Sequence, residues 1–354
     1  MNFENLSLIL DSEILQLYGE AMAQLSKLNE MMAHLPNKHD YIKAYIAKEI
    51  QLSCSIDGIH TTLLDIFTQP LLESKLSKEI HFVINSIEAL RGSLPLAKEP
   101  LPITSTLLNI HKTCIFQEDI GFRQQSIRVG TFVPPQPSDI AHLMTQFEAQ
   151  ITSETVALPT LIKIGLAHVQ LETIHPFLEG NGHTNRLFTL LLLINNSLIS
   201  EPFLYPSLYI KQFHREYYQL LNNIKTSKDL AQDLKAWTRF YLSLLIQSSM
   251  DAYKRTQAIE TLITTLLAEI NNNNRLSTKM RQARSSAILF LLSNPVTNIS
   301  NLSNHLKTSY NTAAQIMHEF LEAAIVIQEN KQKREKLFCF QPYLAILEQD
   351  YEYL

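Results

Sequence analysis

Only eight glycines occur in these 354 residues, yet Gly180 and Gly182 fall two positions apart, between two runs that both read as buried helix. A glycine pair wedged between apolar helices forces a tight corner at which one helix stops and the next begins. The first backbone N–H groups of the second helix have no carbonyl partner and converge on one spot, which makes an anion site. Around that spot the stretch His175-Pro-Phe-Leu-Glu-Gly-Asn-Gly-His-Thr-Asn-Arg186 supplies an imidazole (His175), a carboxylate (Glu179), an amide (Asn181) and a guanidinium (Arg186). Such a set can deprotonate a hydroxyl, hold a divalent cation and grip a phosphate. The chemistry it points to is transfer from a nucleotide.

Elsewhere the periodicity is helical and strand signals are few, which predicts a mainly α protein. Amphipathic helices are expected over 6–33 and 38–67, split by Pro36-Asn37, and over 77–91. The prolines at 95, 100 and 102 mark a boundary, after which 103–120 returns to helix. Residues 121–137 differ: Phe122, Ile127, Val129, Phe132 and Val133 surround Gly130 and read as a short hairpin closed by Pro134, Pro135 and Pro137. Helices over 158–173 and 183–194 flank the glycine corner, and helical pattern continues to about residue 269. The polar run Asn271–Asn274 reads as a linker. Beyond it, helices over 284–293, 299–306 and 309–324, then an alternating 326–340, follow the order of a winged helix-turn-helix.

A formal charge of −4 argues against a chain coated with nucleic acid, though it leaves room for a local basic patch. Cys54, Cys114 and Cys339 have no ligand spacing, and an odd, sparse set suggests a reducing compartment, hence the cytoplasm. The apolar stretch at 190–194 is far too short to span a bilayer, and no cleavable signal is visible at the N-terminus. Secretion by a route without such a signal stays open.

Through Gly182, and again at Arg186, the corner resembles the motif of the Fic family, HPFx(D/E)GNGRxxR. Gly121-Phe-Arg123, Ile127-Arg-Val-Gly130 and Phe132-Val-Pro-Pro135 are similar to the shorter form of that family's target-docking flap. The resemblance covers about residues 103–245 and implies a helical fold whose one β element is the flap. It divides the chain into an N-terminal helical segment (1–95), a catalytic core (103–245), a helix with linker (246–276) and a winged helix unit (277–354). The implied activity is transfer of AMP from ATP to a Ser, Thr or Tyr hydroxyl of an unidentified target protein.

Carried over residue by residue, the resemblance makes His175 the general base, since an ordinary imidazole pKa near ~6.5 leaves it mostly neutral at cellular pH. Glu179 holds Mg²⁺. Gly180, Asn181 and Gly182 cradle the phosphates, Arg186 meets the γ-phosphate, Phe177 points inward, and Val129 with Gly130 hold an extended target segment. His183 stands where the family has arginine. A mostly uncharged imidazole is a weaker phosphate ligand, so slow transfer is expected, improving below about pH 6.5 if protonation restores the charge.

Ser53-Cys-Ser-Ile-Asp57-Gly58 resembles the family's inhibitory motif, (S/T)xxxE(G/N), whose acid pairs with the last arginine, here Arg186. Ser53 and Asp57 share a helix face, and Gly58 lets the helix end. Aspartate is one methylene shorter than glutamate, so a leakier brake is expected. Removal of AMP from a modified protein is the alternative activity, and the family also includes users of other nucleotides or phosphocholine. A catalytically weak regulator is the rival of another class. The winged helix could read DNA, dock a partner or pair two subunits of a homodimer, although residues 309–324 carry no Lys or Arg. The basic run 331–336 reads as a hairpin tip. His168, Glu172 and His175 lack an HExxH pattern and read as core and corner residues, not as a zinc site.

Overall fold

The computed structural model describes residues 9–36, 38–72, 76–116, 121–153, 158–329 and 336–349. Its N-terminal helices are α1 (Ser12–His34), α2 (Lys38–Ile56), α3 (Leu63–Thr68) and α4 (Lys78–Ser93). Local chemistry sets their ends. The Asp11 carboxylate accepts from the Ile14 amide, a Thr62/Asp65 capping box opens α3, and the Ser77 hydroxyl accepts from the Ile80 amide. The single helical stretch expected over 38–67 is in fact broken. Ile59 N reaches Cys54 O at 3.0 Å and Gly58 N reaches Ser55 O at 3.3 Å, with Gly58 at φ +83°. That is a left-handed glycine cap, and it ends α2 at the proposed inhibitory residues.

The middle of the chain forms α5 (Ile103–Ile115), α6 (Pro137–Thr152), α7 (Thr160–Ile174), α8 (Asn181–Asn195), α9 (Ser207–Gln212) and α10 (His214–Lys225). The long α11 (Leu230–Asn272) follows as one continuous helix. α7 and α8 are buried on nearly every face, as expected of helices without a polar side. α7 meets α11 closely because Gly165 has no Cβ: one placed there would collide with the Tyr241 ring. Trp237 Nε1 donates to the Gly165 carbonyl at 2.7 Å across the same contact.

Two expectations for this region are corrected. The boundary placed between residues 245 and 246 falls inside α11, and Asn271 and Asn272 end that helix, which leaves a short turn in place of a linker. The hairpin over 121–137 is a single bridge, with Val129 N to Phe132 O at 2.9 Å and Phe132 N to Val129 O at 3.0 Å. Gly130 turns the chain at φ +60°.

The C-terminal part contains α12 (Thr278–Ser293), β1 (Val296–Asn298), α13 (Ile299–Leu306), α14 (Tyr310–Glu322), β2 (Ile327–Gln328), β3 (Leu337–Cys339) and α15 (Gln341–Glu348). The strands form an antiparallel sheet in the order β1-β3-β2, with Cys339 opposite both Val296 and Ile327. Residues 331–335 of the basic tip lie outside the described residues. β1 and α15 were not expected from the sequence.

This part packs on the first half of α2. The Ser293 hydroxyl donates to Asp40 at 2.5 Å, and Lys43 Nζ donates to Asn294 Oδ1 at 3.2 Å. Lys48 of α2 and Arg255 of α11, both buried, donate to backbone carbonyls at the end of α15, where the helix dipole favours cations. Asp251 pairs with Arg255 at 3.0 Å, and neither side chain is exposed.

Candidate active site

α7 ends where His175 takes a left-handed conformation, φ +51°, with its N–H on Leu171 O at 2.9 Å. A non-glycine residue holds that conformation at a cost on the order of 1 kcal/mol, so something must fix it. Arg123 does. Its Nε donates to the His175 carbonyl at 2.8 Å and its backbone N–H to Pro176 O at 2.8 Å. Its remaining nitrogens reach Gln125 O at 3.0 Å and Pro135 O at 2.6 Å, one on each limb of the flap. One buried guanidinium thus ties the flap to the histidine corner.

The loop after His175 is held from beneath. Phe177 is buried and stacks on His111, with ring centroids 3.7 Å apart and planes 11° off parallel. The Asn181 side chain accepts from Phe177 N at 2.9 Å and donates to Phe177 O at 2.8 Å. Its part in any phosphate cradle is therefore limited to its backbone amide. Gly180 is the N-cap of α8, φ +70°, with no side-chain cap. Thr184 N is the first amide to bond back, to Gly180 O at 3.0 Å. The amides of Asn181, Gly182 and His183 are left pointing out of the helix end, where its dipole is positive. Glu179 stands exposed beside them.

Arg186 lies one turn into α8 and is buried. Nη2 is 2.6 Å from Asp57 Oδ2 and 3.0 Å from the Ser53 carbonyl, and Nε donates to Ser53 Oγ at 2.8 Å. Gly182 leaves room for this pairing: a Cβ there would lie 2.9 Å from Arg186 Nη1 and 3.6 Å from Asp57 Oδ1. Burial works against the guanidinium charge, but Asp57, Tyr217, Tyr218 and Glu172 outweigh it and raise the pKa further. The arginine stays charged.

His183 is the clearest departure from expectation. Its Nδ1 is 2.9 Å from Ser53 Oγ and its Nε2 2.8 Å from Ser86 Oγ, with the ring buried against Phe82. It faces α2 and α4, away from the cradle. Burial, aided by Arg186 and His111, holds its pKa well below the ordinary imidazole range. The expected gain below about pH 6.5 through its protonation therefore loses its basis.

Burial also lowers the His175 pKa, helped by Lys225 and Arg123 and opposed by Glu172. His168 is not a ligand: Nδ1 and Nε2 bond Thr189 Oγ1 and Tyr217 Oη at 2.9 Å each, and burial drops its pKa to about 4. Glu172 bonds Asn185 Nδ2 at 3.1 Å. Among the described residues no group of three or more His, Cys, Asp or Glu could hold a metal ion. Glu179 would thus be a lone protein carboxylate, which suits a cation that also binds phosphates and water.

Sequence reading gave no role to Arg123, His111 or Ser86. Arg123 carried one available signal, being with Arg128 one of two charged residues in an otherwise apolar and polar-neutral flap.

Residues 101–193 match the Fic/DOC family model, and residues 15–94 match the Fic/DOC family N-terminal model. Curated relatives include "Protein adenylyltransferase Fic" of Drosophila grimshawi, 28% identical over 256 residues, covering 69% of this chain and 50% of the relative. The protein of the same name from Drosophila erecta is 27% identical, with 69% and 48% covered. The chain spans about half the length of these relatives. Among solved structures, a Fic family protein from Desulfovibrio desulfuricans superposes with a TM-score of 0.58 at 16% identity, covering 94% of this chain and 96% of that one. Fic-1 of C. elegans gives 0.51 at 18% identity, with 67% and 72% covered.

Proposed function

This chain belongs to the Fic/DOC family, and on that premise we propose that it is a protein adenylyltransferase that moves AMP from ATP onto a Ser, Thr or Tyr hydroxyl of a target protein. The observation that carries the reading is the uncapped start of α8, whose free amides lie between His175 and Arg186. His175 takes the proton of the target hydroxyl while its oxygen attacks the α-phosphorus and pyrophosphate leaves. Its lowered pKa keeps the imidazole neutral and ready at cellular pH. The amides of Asn181, Gly182 and His183 hold phosphate oxygens, and Arg186, once free, grips the γ-phosphate end. Glu179 is the residue that would hold Mg²⁺, which supplies charge neutralisation on the polyphosphate when bound. With His183 turned away, the cradle lacks one cation, and slow transfer follows. The backbone around Val129 and Gly130 docks the target segment in extended form.

Asp57 is the brake. Its carboxylate occupies the one arginine the nucleotide needs, so the chain as folded is inhibited. Residues 277–354 are a winged helix unit that reads DNA, docks a partner or pairs two copies of the chain, and the protein works in the cytoplasm. Three free, buried cysteines support the reducing compartment. Among the described residues no helix is long and apolar enough to cross a membrane.

The test is mass spectrometry of the Asp57→Gly protein after incubation with ATP and Mg²⁺, alone and with lysate. Gain of one AMP on the protein or on a lysate peptide, abolished by His175→Ala, is expected. No mass gain in any species overturns the reading. Loss of AMP from a pre-modified target would instead identify the reverse reaction.

A further inference from the structure

Position 183 lies within the cradle sequence, yet its side chain belongs to a different structure. The hydrogens of its two short bonds can be assigned, with the Cys54 thiol a third, longer neighbour of Nδ1 at 4.0 Å. Arg186 Nε can only donate, so Ser53 Oγ accepts there at 2.8 Å and keeps its own hydrogen for His183 Nδ1 at 2.9 Å. On the other side Ser86 gives its hydrogen to the Phe82 carbonyl at 2.8 Å. Ser86 Oγ must therefore accept from His183 Nε2–H at 2.8 Å. The relay Arg186 → Ser53 → His183 → Ser86 → Phe82 O runs in one direction through three helices, α8, α2 and α4, and requires the neutral ring with its hydrogen on Nε2. All of its side chains except that of Phe82 are buried. An imidazole so engaged cannot reach a phosphate without breaking both of its bonds.

We propose that His183 is a positioning residue of the inhibitory helix: it fastens α2 onto α8 through the Ser53 hydroxyl, with Ser86 of α4 as its backstop, and so holds Asp57 on Arg186. The proposal rests on the reading of Asp57 as a brake. It reverses the sign expected of a residue at this position. A phosphate ligand strengthens nucleotide binding, whereas a latch on the brake weakens it.

ATP titrations by calorimetry on the full chain separate the two. His183→Leu removes both bonds at similar volume, and His183→Asn keeps a polar atom near the place of Nδ1. His183→Leu should bind ATP about three- to tenfold more tightly than wild type, the reach of one net neutral hydrogen bond. His183→Asn should stay within about twofold of wild type by the same measure. In an Asp57→Gly background, His183→Leu should change the affinity hardly at all, because the brake through which it acts is gone. Weaker binding in both backgrounds, or no change in the wild-type background, overturns the proposal. If Asp57→Gly itself binds no ATP, the nucleotide reading fails separately. The latch is then judged by hydrogen exchange: His183→Leu should speed the amides at the end of α2 and leave those of α8 protected, and equal protection of α2 rejects it. Should His183→Leu not fold, Ser86→Ala, which keeps the ring and removes the Nε2 acceptor, carries the same expected signs in both measurements.

Discussion

Arg186 Nη2 lies 2.6 Å from Asp57 Oδ2, with the guanidinium side chain 2% exposed and the carboxylate side chain 32% exposed. The buried partner is the one that suffers if the pair is broken. Asp57→Gly leaves a desolvated cation with only the neutral Ser53 acceptors, which should cost about 1–3 kcal/mol of stability, discounted for the carboxylate's access to water. Thermal melting without nucleotide should therefore place this variant below wild type. ATP at 100 times its Kd should then restore about 2.7 kcal/mol to the variant and much less to wild type. An equal rise in both proteins means that the ion pair does not obstruct the nucleotide.

His175 supplies a pH test of the proposed base. Its pKa is lowered chiefly by burial, so the active neutral form persists to more acidic pH than for a free imidazole. Transfer by the brake-released Asp57→Gly protein should be flat through neutrality and fall as pH drops, with its midpoint below about 6.5. Lys225 contributes to the lowering, so Lys225→Met should move that midpoint upward. A midpoint unmoved by Lys225→Met, or activity that rises toward acid, contradicts the assignment.

How much of this was legible beforehand depends on the range of the interaction. Features set by neighbouring residues could be read directly, as with Gly180 opening a helix and Gly130 turning the flap. What depended on distant chain could not, except where a motif resemblance supplied it, as for Asp57 and Arg186, 129 residues apart. His183 looked like a phosphate ligand because nothing local says that Ser53 and Ser86, 130 and 97 residues away, converge on its two nitrogens. The flap was read from alternation as a hairpin. Its limbs are joined by the Arg123 side chain, and a ladder reduces to one bridge. The short α15 gave too little periodicity to be seen, and its place is set by Lys48 and Arg255 from other helices.

Arg123 should therefore matter to transfer more than to nucleotide binding. Arg123→Lys keeps the charge but cannot span the His175, Gln125 and Pro135 carbonyls at once. Loss of one or two such buried charged hydrogen bonds, each about 1.5–3 kcal/mol, should slow AMP transfer by about tenfold or more in the Asp57→Gly background. Calorimetry should find ATP affinity within about twofold of the parent, since no cradle amide is touched. Parallel losses in both quantities would instead mean that the whole corner had loosened.

Glu49 makes α2 sensitive to pH one turn before Ser53. Its carboxylate accepts from the Ser207 hydroxyl at 2.6 Å and the Ser207 amide at 3.1 Å, beside a cavity of about 20 Å³ that Arg186 and His168 also line. Burial pushes its pKa up to about 7, against the Ser207 hydrogen bonds and the Arg186 charge, which favour the ionised form. The folded value thus exceeds the unfolded one near 4.5, so the folded state holds its proton more tightly. That contribution is complete below the unfolded value and is lost as pH rises through the folded one. Since one pKa unit is worth about 1.4 kcal/mol, wild type should lose on the order of 3 kcal/mol between roughly pH 4.5 and 7.5 from this group. Glu49→Gln keeps an acceptor for Ser207 and has no charge to bury. Urea denaturation across that range should show a flatter dependence for the variant and greater stability than wild type at pH 8. A wild-type slope that survives the substitution unchanged would place the titrating group elsewhere.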